Sequence, residues 1–209
     1  MLLLALAMLQ ANPQPAVDKA TPSDAAALIA RLAHPAPART AYSEVRFVRM
    51  LRKPLVLRGE LEYGGAERLG KTVTAPYQET MTIADGNVVV QREGHGERKF
   101  ALDRAPELQA LLSGFSALLG GDAATVQKNF TLQLVDNAQN WTLTMTPSSA
   151  LSRHLRDMVV DGAANEPRCF TLHESSGETS IMLIGPLAAA KLPEAPTADA
   201  LAALCRATP

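Results

Sequence analysis

The alternation of apolar and polar positions is clearest over residues 55–63, Leu-Val-Leu-Arg-Gly-Glu-Leu-Glu-Tyr. Leu55, Leu57, Leu61 and Tyr63 share one parity, and Arg58, Glu60 and Glu62 the other. Side chains along a strand point alternately to opposite faces, so this segment predicts a strand with one apolar and one wet face. Gly59 interrupts the apolar row. Strands of the same character are expected at 42–51, 67–74, 77–83, 88–90, 97–102, 130–135, 141–146, 156–160, 168–174 and 178–184. In the first of these, Val45, Phe47, Arg49 and Leu51 fall on one face. Asp85-Gly86, Gly94-His95-Gly96 and Ser175-Ser176-Gly177 supply hairpin turns.

The period changes twice toward 3.6. Leu28, Ile29 and Leu32 predict a helix over about 23–33, capped by Ser23 or Thr21 and stopped by His34-Pro35-Ala36-Pro37. Leu108, Leu111, Leu112, Phe115, Leu118 and Leu119 predict a second over 108–119, opened by Asp103 and Pro106, softened by Ser113-Gly114 and ended by Gly120-Gly121. Asp122 caps a short helix to about Lys128, and 198–206 forms a C-terminal helix. The expected fold is α+β, mainly β: an antiparallel sheet of about eleven strands with one continuous apolar face to cover. The arginine at Arg49 sits on an otherwise apolar row, and a buried charge needs a partner. Glu79 on a neighbouring strand or a ligand headgroup would each serve, the internal pair being favoured.

Composition narrows the function classes. The 209 residues hold 47% hydrophobic and only 4% aromatic side chains, with a net charge of −1. Without a basic stripe or stacking aromatics, nucleic acid is not an expected partner. Residues 1–11 match the apolar stretch of a secretory signal, too short to span a bilayer and without a preceding Lys or Arg. Residues 12–22 read as a linker and 23–209 as one domain. In an exported protein the two cysteines, Cys169 and Cys205, suggest one disulfide joining a strand to the C-terminal helix, the alternative being two buried thiols.

No catalytic or metal constellation is expected. His34 precedes a proline, His95 lies between glycines, His154 sits among Arg153 and Arg156, and His173 is in a strand beside Glu174. Neither His34 nor His95 has a partner at ligand spacing, a Ser/His/Asp triad is recognised by geometry and not by sequence, and no nucleophile elbow or phosphate loop is present. No catalytic residue, cofactor or metal is therefore assigned.

The order of pieces resembles the LolA family, the periplasmic lipoprotein carriers of Gram-negative bacteria. The matching positions are Phe47 with Arg49 in the opening strand and Arg58-Gly59-Glu60-Leu61 in the second. Pro76 is followed by Met81-Thr82-Ile83-Ala84-Asp85-Gly86, then come Leu111-Leu112-Ser113-Gly114 and Trp141-Thr142-Leu143-Thr144-Met145-Thr146-Pro147. One departure stands out: the family often has Arg-Pro after the second strand, where this chain has Gly65-Ala66 and an arginine only at Arg68. The resemblance implies an unclosed antiparallel β-barrel with a helical lid and an apolar interior for acyl chains. It would make the chain a periplasmic carrier that passes a lipoprotein or other amphiphile from an inner-membrane exporter to an outer-membrane acceptor, as a monomer. The cargo cavity would then include Phe47, Leu57, Leu61, Met81, Ile83, Leu143 and Met145. The lid would comprise Leu108, Leu111, Leu112, Phe115 and Leu118, with Ser113-Gly114 as its soft point. A lipid- or lipoprotein-sensing regulatory domain, or a carrier for pigment or glycolipid export, is the alternative reading.

Overall fold

In a computed structural model, residues 22–66, 68–137, 139–148 and 151–207 are described. The expected signal segment at 1–11, nearly all of the expected linker and the candidate cap Thr21 lie outside them. The helices are α1 (Pro22–Arg31), α2 (Pro106–Gly120), α3 (Ala123–Asn129) and α4 (Ala198–Arg206). Ser23 falls within α1, not before it.

The strands are β1 (Ala38–Phe47), β2 (Leu55–Tyr63), β3 (Leu69–Ala75), β4 (Glu79–Ala84), β5 (Asn87–Arg92), β6 (Gly96–Ala101), β7 (Phe130–Asp136), β8 (Trp141–Pro147), β9 (Leu155–Ala163), β10 (Glu166–Glu174) and β11 (Thr179–Ile184). They form one antiparallel sheet in the order β6-β5-β4-β3-β2-β1-β11-β10-β9-β8-β7. Each half is a meander, and pairing of β1 with β11 joins the halves. β6 and β7 stay unpaired edges, so the barrel is unclosed. The chain between them is α2 and α3, which places these helices across the opening.

Two apolar layers flank the sheet. On the concave side Leu28, Ile29 and Leu32 of α1, Leu118 of α2 and Val126 of α3 pack with Tyr42, Leu57, Leu143, Met145, Met158, Val160 and Phe170. On the convex side Val45, Ile181, Leu183 and Cys169 pack with Leu201 and Cys205 of α4. Cys169 and Cys205 are joined in a disulfide. Arg206 Nε meets the buried Asp161 Oδ1 at 3.2 Å, and the Thr142 hydroxyl donates to the same oxygen.

This second layer corrects the reading of β1. The strand ends at Phe47, four residues before the predicted limit, and Val45 and Phe47 point to the convex side, where Phe47 packs against the cluster under α4. Phe47 is therefore not a wall of the concave face. Residues 42–45 are all buried, because both sides of β1 are covered. Alternation fixes which residues share a face, but not which face is inner, once both are apolar.

Arg49 is corrected with it: it lies in the exposed turn after β1, away from any apolar row. Its guanidinium Nη2 would be 3.6 Å from a Cβ at Gly177 of the neighbouring turn. The buried charge of the concave face is Glu44 instead, 3% exposed, with Lys71 Nζ at 2.5 Å and Arg46 Nε at 2.7 Å.

Candidate functional site: the concave face beneath α2

β2 supplies the middle of the concave face. Leu57 is buried in the main core, and Leu61 and Tyr63 extend the row toward the loop that joins β2 to β3. At Gly59 the row is broken because the backbone of β3 is too close: a Cβ there would lie 1.7 Å from Thr72 O and 3.1 Å from the Tyr42 ring. On the convex face, Arg39 pairs with Glu60 and Glu62 at 3.5 and 3.1 Å.

α2 lies on this face as one continuous helix closed at Gly121, whose N–H bonds to Ala117 O and Leu118 O. Its two halves are held differently. None of residues 106–113 is buried, whereas Gly114, Ser116, Ala117 and Leu118 are. In the loose half, Leu108 and Leu112 touch the cluster of Tyr63, Leu69, Ile83, Val88 and Leu102, and Leu111 touches the main core. Phe115 bridges both clusters and meets Phe170 of β10. In the anchored half the Ser116 hydroxyl donates to Ala66 O at 2.8 Å, tying the helix to the β2–β3 loop. Gly114 is close-packed: a Cβ there would be 2.4 Å from Phe130 Cε2. The helix changes from loose to anchored at Ser113-Gly114, so that pair marks a boundary in packing while the helix runs on unbroken.

A cavity lies on each flank of α2. The first, of about 260 Å³, is lined by Leu61, Tyr63, Leu69, Phe115, Leu119 and Phe170, with His34 and Glu166 at its rim 3.7 Å apart. The second, of about 460 Å³, is lined by Tyr63, Ile83, Leu102, Leu112 and the polar Ser113, Ser116 and Thr125. Of the residues expected at the cavity, Leu61 and Ile83 line one. Met81 is half-buried against the same cluster as Ile83. Leu57, Leu143 and Met145 are closed core, at 1%, 0% and 0% exposure, and line neither cavity. Phe170 and Ser116 are not singled out by the sequence, and Tyr63 enters there only as the last position of the apolar row of β2; their meeting at α2 distinguishes them.

The polar feature of the concave face is the Glu44 cluster. Burial alone would raise the Glu44 carboxyl, but attraction to Lys71 and hydrogen bonds from Arg46 and Lys71 hold it below the usual glutamate value. Burial lowers the Lys71 ammonium despite Glu44 beside it. Burial, and then the Glu44 charge, push the Tyr42 phenol up; its hydroxyl is buried without a hydrogen-bond partner, and Lys71 Nζ is 5.0 Å from its ring. Elsewhere His173 Nδ1 bonds to Asp157 Oδ1 on the convex side, remote from α2. Arg68, at the place of the family departure, is exposed and stacks its stem over Gly64. Among the described residues no group of three or more His, Cys, Asp or Glu is placed to hold a metal, and no helix is long and apolar enough to cross a membrane.

No curated protein sequence matches the chain. Among solved structures it is similar to the LolA superfamily protein NE2245 from Nitrosomonas europaea, at 11% identity over 84% of this chain and 96% of that one, with a TM-score of 0.43. It is similar to the MucA/MucB complex of Pseudomonas aeruginosa at 16% identity, over 85% and 60% of the chains, with a TM-score of 0.40. LprF from Mycobacterium bovis follows at 10% identity, 84% and 98% coverage and a TM-score of 0.37. The family model described as outer membrane lipoprotein carrier protein LolA-like matches residues 17–208, nearly all of the chain. With an unclosed eleven-stranded sheet and a helix laid over its concave side, the chain belongs to the LolA-like family.

Proposed function

We propose that this protein is a periplasmic carrier, not an enzyme, that shields the acyl chains of a lipoprotein or another amphiphile on its concave face while the cargo crosses between inner and outer membranes. The supporting observation is the packing of α2. Its first half covers the sheet with half-buried leucines and has a cavity on each flank. A site for a drug-sized ligand occupies roughly 300–1,000 Å³. The apolar cavity, at about 260 Å³, falls below this range, so seating paired acyl chains there requires residues 106–113 to lift.

Exchange of apolar surface then drives both loading and release. Each Å² of apolar surface withdrawn from water contributes about 25 cal/mol, whether an acyl chain or the face of α2 does the covering. The lid competes with the cargo, so the empty state is not left with an exposed apolar trough, and handover costs less than full solvation of the chain. Leu61, Ile83 and Met81 form the wall that cargo touches first. Leu108, Leu111 and Leu112 form the moving cover, Phe115 sits at its boundary, and Leu118 stays with the anchored half. An inner-membrane exporter would load the protein and an outer-membrane acceptor unload it, with the carrier acting as a monomer.

The test is identification of what co-purifies with the protein from its native periplasm, by mass spectrometry of the intact complex and of its organic extract. Acylated protein or lipid in stoichiometric amount is the expected result. Consistently empty protein that also takes up no acylated ligand after purification contradicts the proposal.

A further inference from the structure

The β1–β2 hairpin has features that the concave face does not explain. Residues 48–54, Val-Arg-Met-Leu-Arg-Lys-Pro, project beyond the sheet, with Leu51 N–H bonded to Val48 O to form the turn. Met50 is 93% exposed and Leu51 49%, the two most exposed large apolar side chains among the described residues. Isolated exposed apolar residues are ordinary, but two in succession at the tip of a projecting turn are not needed for any core.

The charge of the hairpin itself is one-sided. From Val48 to Gly59 the chain carries Arg49, Arg52, Lys53 and Arg58 and no acid, in a protein of net charge −1. The neighbouring β10–β11 turn brings Glu174 and Glu178, which lie at its two ends, while Arg49 lies beside Gly177 between them. Arg52 and Lys53 have no ion pair among the described residues. An apolar tip shouldered by cations matches the interface of a bilayer with anionic headgroups: the apolar side chains enter the acyl boundary and the long cationic stems stay at the phosphates.

We propose that this hairpin is a membrane-docking element that brings the protein to an anionic lipid surface, with Met50 and Leu51 inserted and Arg49, Arg52 and Lys53 on the headgroups. Docking is separate from cargo binding, since these residues line neither cavity beside α2.

Cosedimentation of the full chain with vesicles of pure phosphatidylcholine, and of phosphatidylcholine with about one third phosphatidylglycerol, tests it. The expected result is preferential binding to the anionic vesicles that weakens with salt. The substitutions Arg52→Glu and Lys53→Glu together should reduce partitioning at least ~10-fold, and Met50→Asp with Leu51→Asp at least as much. All four positions are exposed in a turn, so the variants should melt with the wild type, and both carry the same N-terminal segment as the wild type. In a Met50→Trp variant, the added indole emission should shift to the blue on anionic vesicles. Equal binding by wild type and either folded double variant, equal binding to the two vesicle types, or an unshifted emission from the Met50→Trp variant overturns the proposal. Loss of cargo uptake with docking intact would count against the carrier function alone.

Discussion

Phe115 of α2 meets Phe170 of β10 edge to face, with ring centroids 5.0 Å apart and planes at 62°. Both rings line the apolar cavity, and their contact lies one residue past the point where α2 becomes anchored. It is thus the last grip before the loose half of the lid.

Replacing Phe115 by Ala removes this grip and enlarges the cavity. The cost should be about 2 kcal/mol, less than for a wholly buried phenylalanine because Phe115 is half-buried. Hydrogen exchange should quicken over residues 106–113 more than over 114–120. Uniform acceleration along α2 would show that the helix moves as one body.

Gly114→Ala offers a second test of the lid. In an exposed helix interior this change gains roughly 1 kcal/mol. Here the new methyl would sit 2.4 Å from the Phe130 ring, which is itself buried. Overpacking should outweigh propensity and give a net loss of about 1–3 kcal/mol in a denaturant titration. A stabilised variant would mean that Phe130 yields freely and that α2 is not seated on β7.

The Glu44 cluster makes a prediction about acid. The native carboxyl titrates below its ordinary value of 4.5, so the unfolded chain binds the proton more readily. The stability this provides is complete above pH 4.5 and is lost as pH falls through the depressed native value. Asp157, which burial would raise but His173 and Arg156 hold down, adds loss in the same direction. Glu44→Gln should therefore flatten the stability profile below pH 4.5 in part, as measured by denaturant midpoints across pH. Glu44→Ala, which leaves Lys71 and Arg46 without their partner, should cost about 3–5 kcal/mol at neutral pH. A Glu44→Gln profile that superimposes on the wild type would remove this cluster from the acid response.

Reduction of the Cys169–Cys205 bond frees a loop with a sequence separation of 36. The chain-entropy model gives a loss of about 4 kcal/mol. For a domain of this size that is a fall of roughly 8–16 °C in melting temperature. An unchanged melt in reductant, with free thiols confirmed by mass, would show that α4 is held by Leu201, Arg206 and Asp161 without the covalent tie.

Most of the sheet is legible in the sequence because its strands are covered on one side and open on the other. β2 matches its predicted bounds residue for residue, since Arg58 and Glu60 face water while Leu57 and Tyr63 are buried. The switch in period at Leu108 locates α2 for the same reason. β1 is misread because the turn Gly185–Ala189 covers its outer face, where the Ser43 hydroxyl donates to Ala188 O, leaving Ser43 and Val45 as buried as Tyr42 and Glu44. A strand with two dry sides gives no wet row to orient it, so the pattern puts Phe47 on the wrong face and Arg49 in a strand that has already ended. The ion cluster escapes the sequence because Glu44, Arg46 and Lys71 are ordinary surface residues by type. They meet only through the strand pairings that set β1, β2 and β3 side by side. At Gly114 the sequence suggests softness, whereas the position is small because Phe130 occupies the space.

The central claim is that an acyl chain takes the place of residues 106–113 on the concave face. Titration of a diacylated fluorescent peptide into delipidated protein, with Leu61→Glu beside the wild type, measures this most directly. Leu61 is half-buried at the wall of the apolar cavity, so a carboxylate there should leave the fold intact and charge the surface that cargo must cover. The account predicts saturable binding at one ligand per wild-type chain and at least ~10-fold weaker binding by the folded variant. Equal affinities for the two folded proteins, or no saturable binding by the wild type, would contradict it.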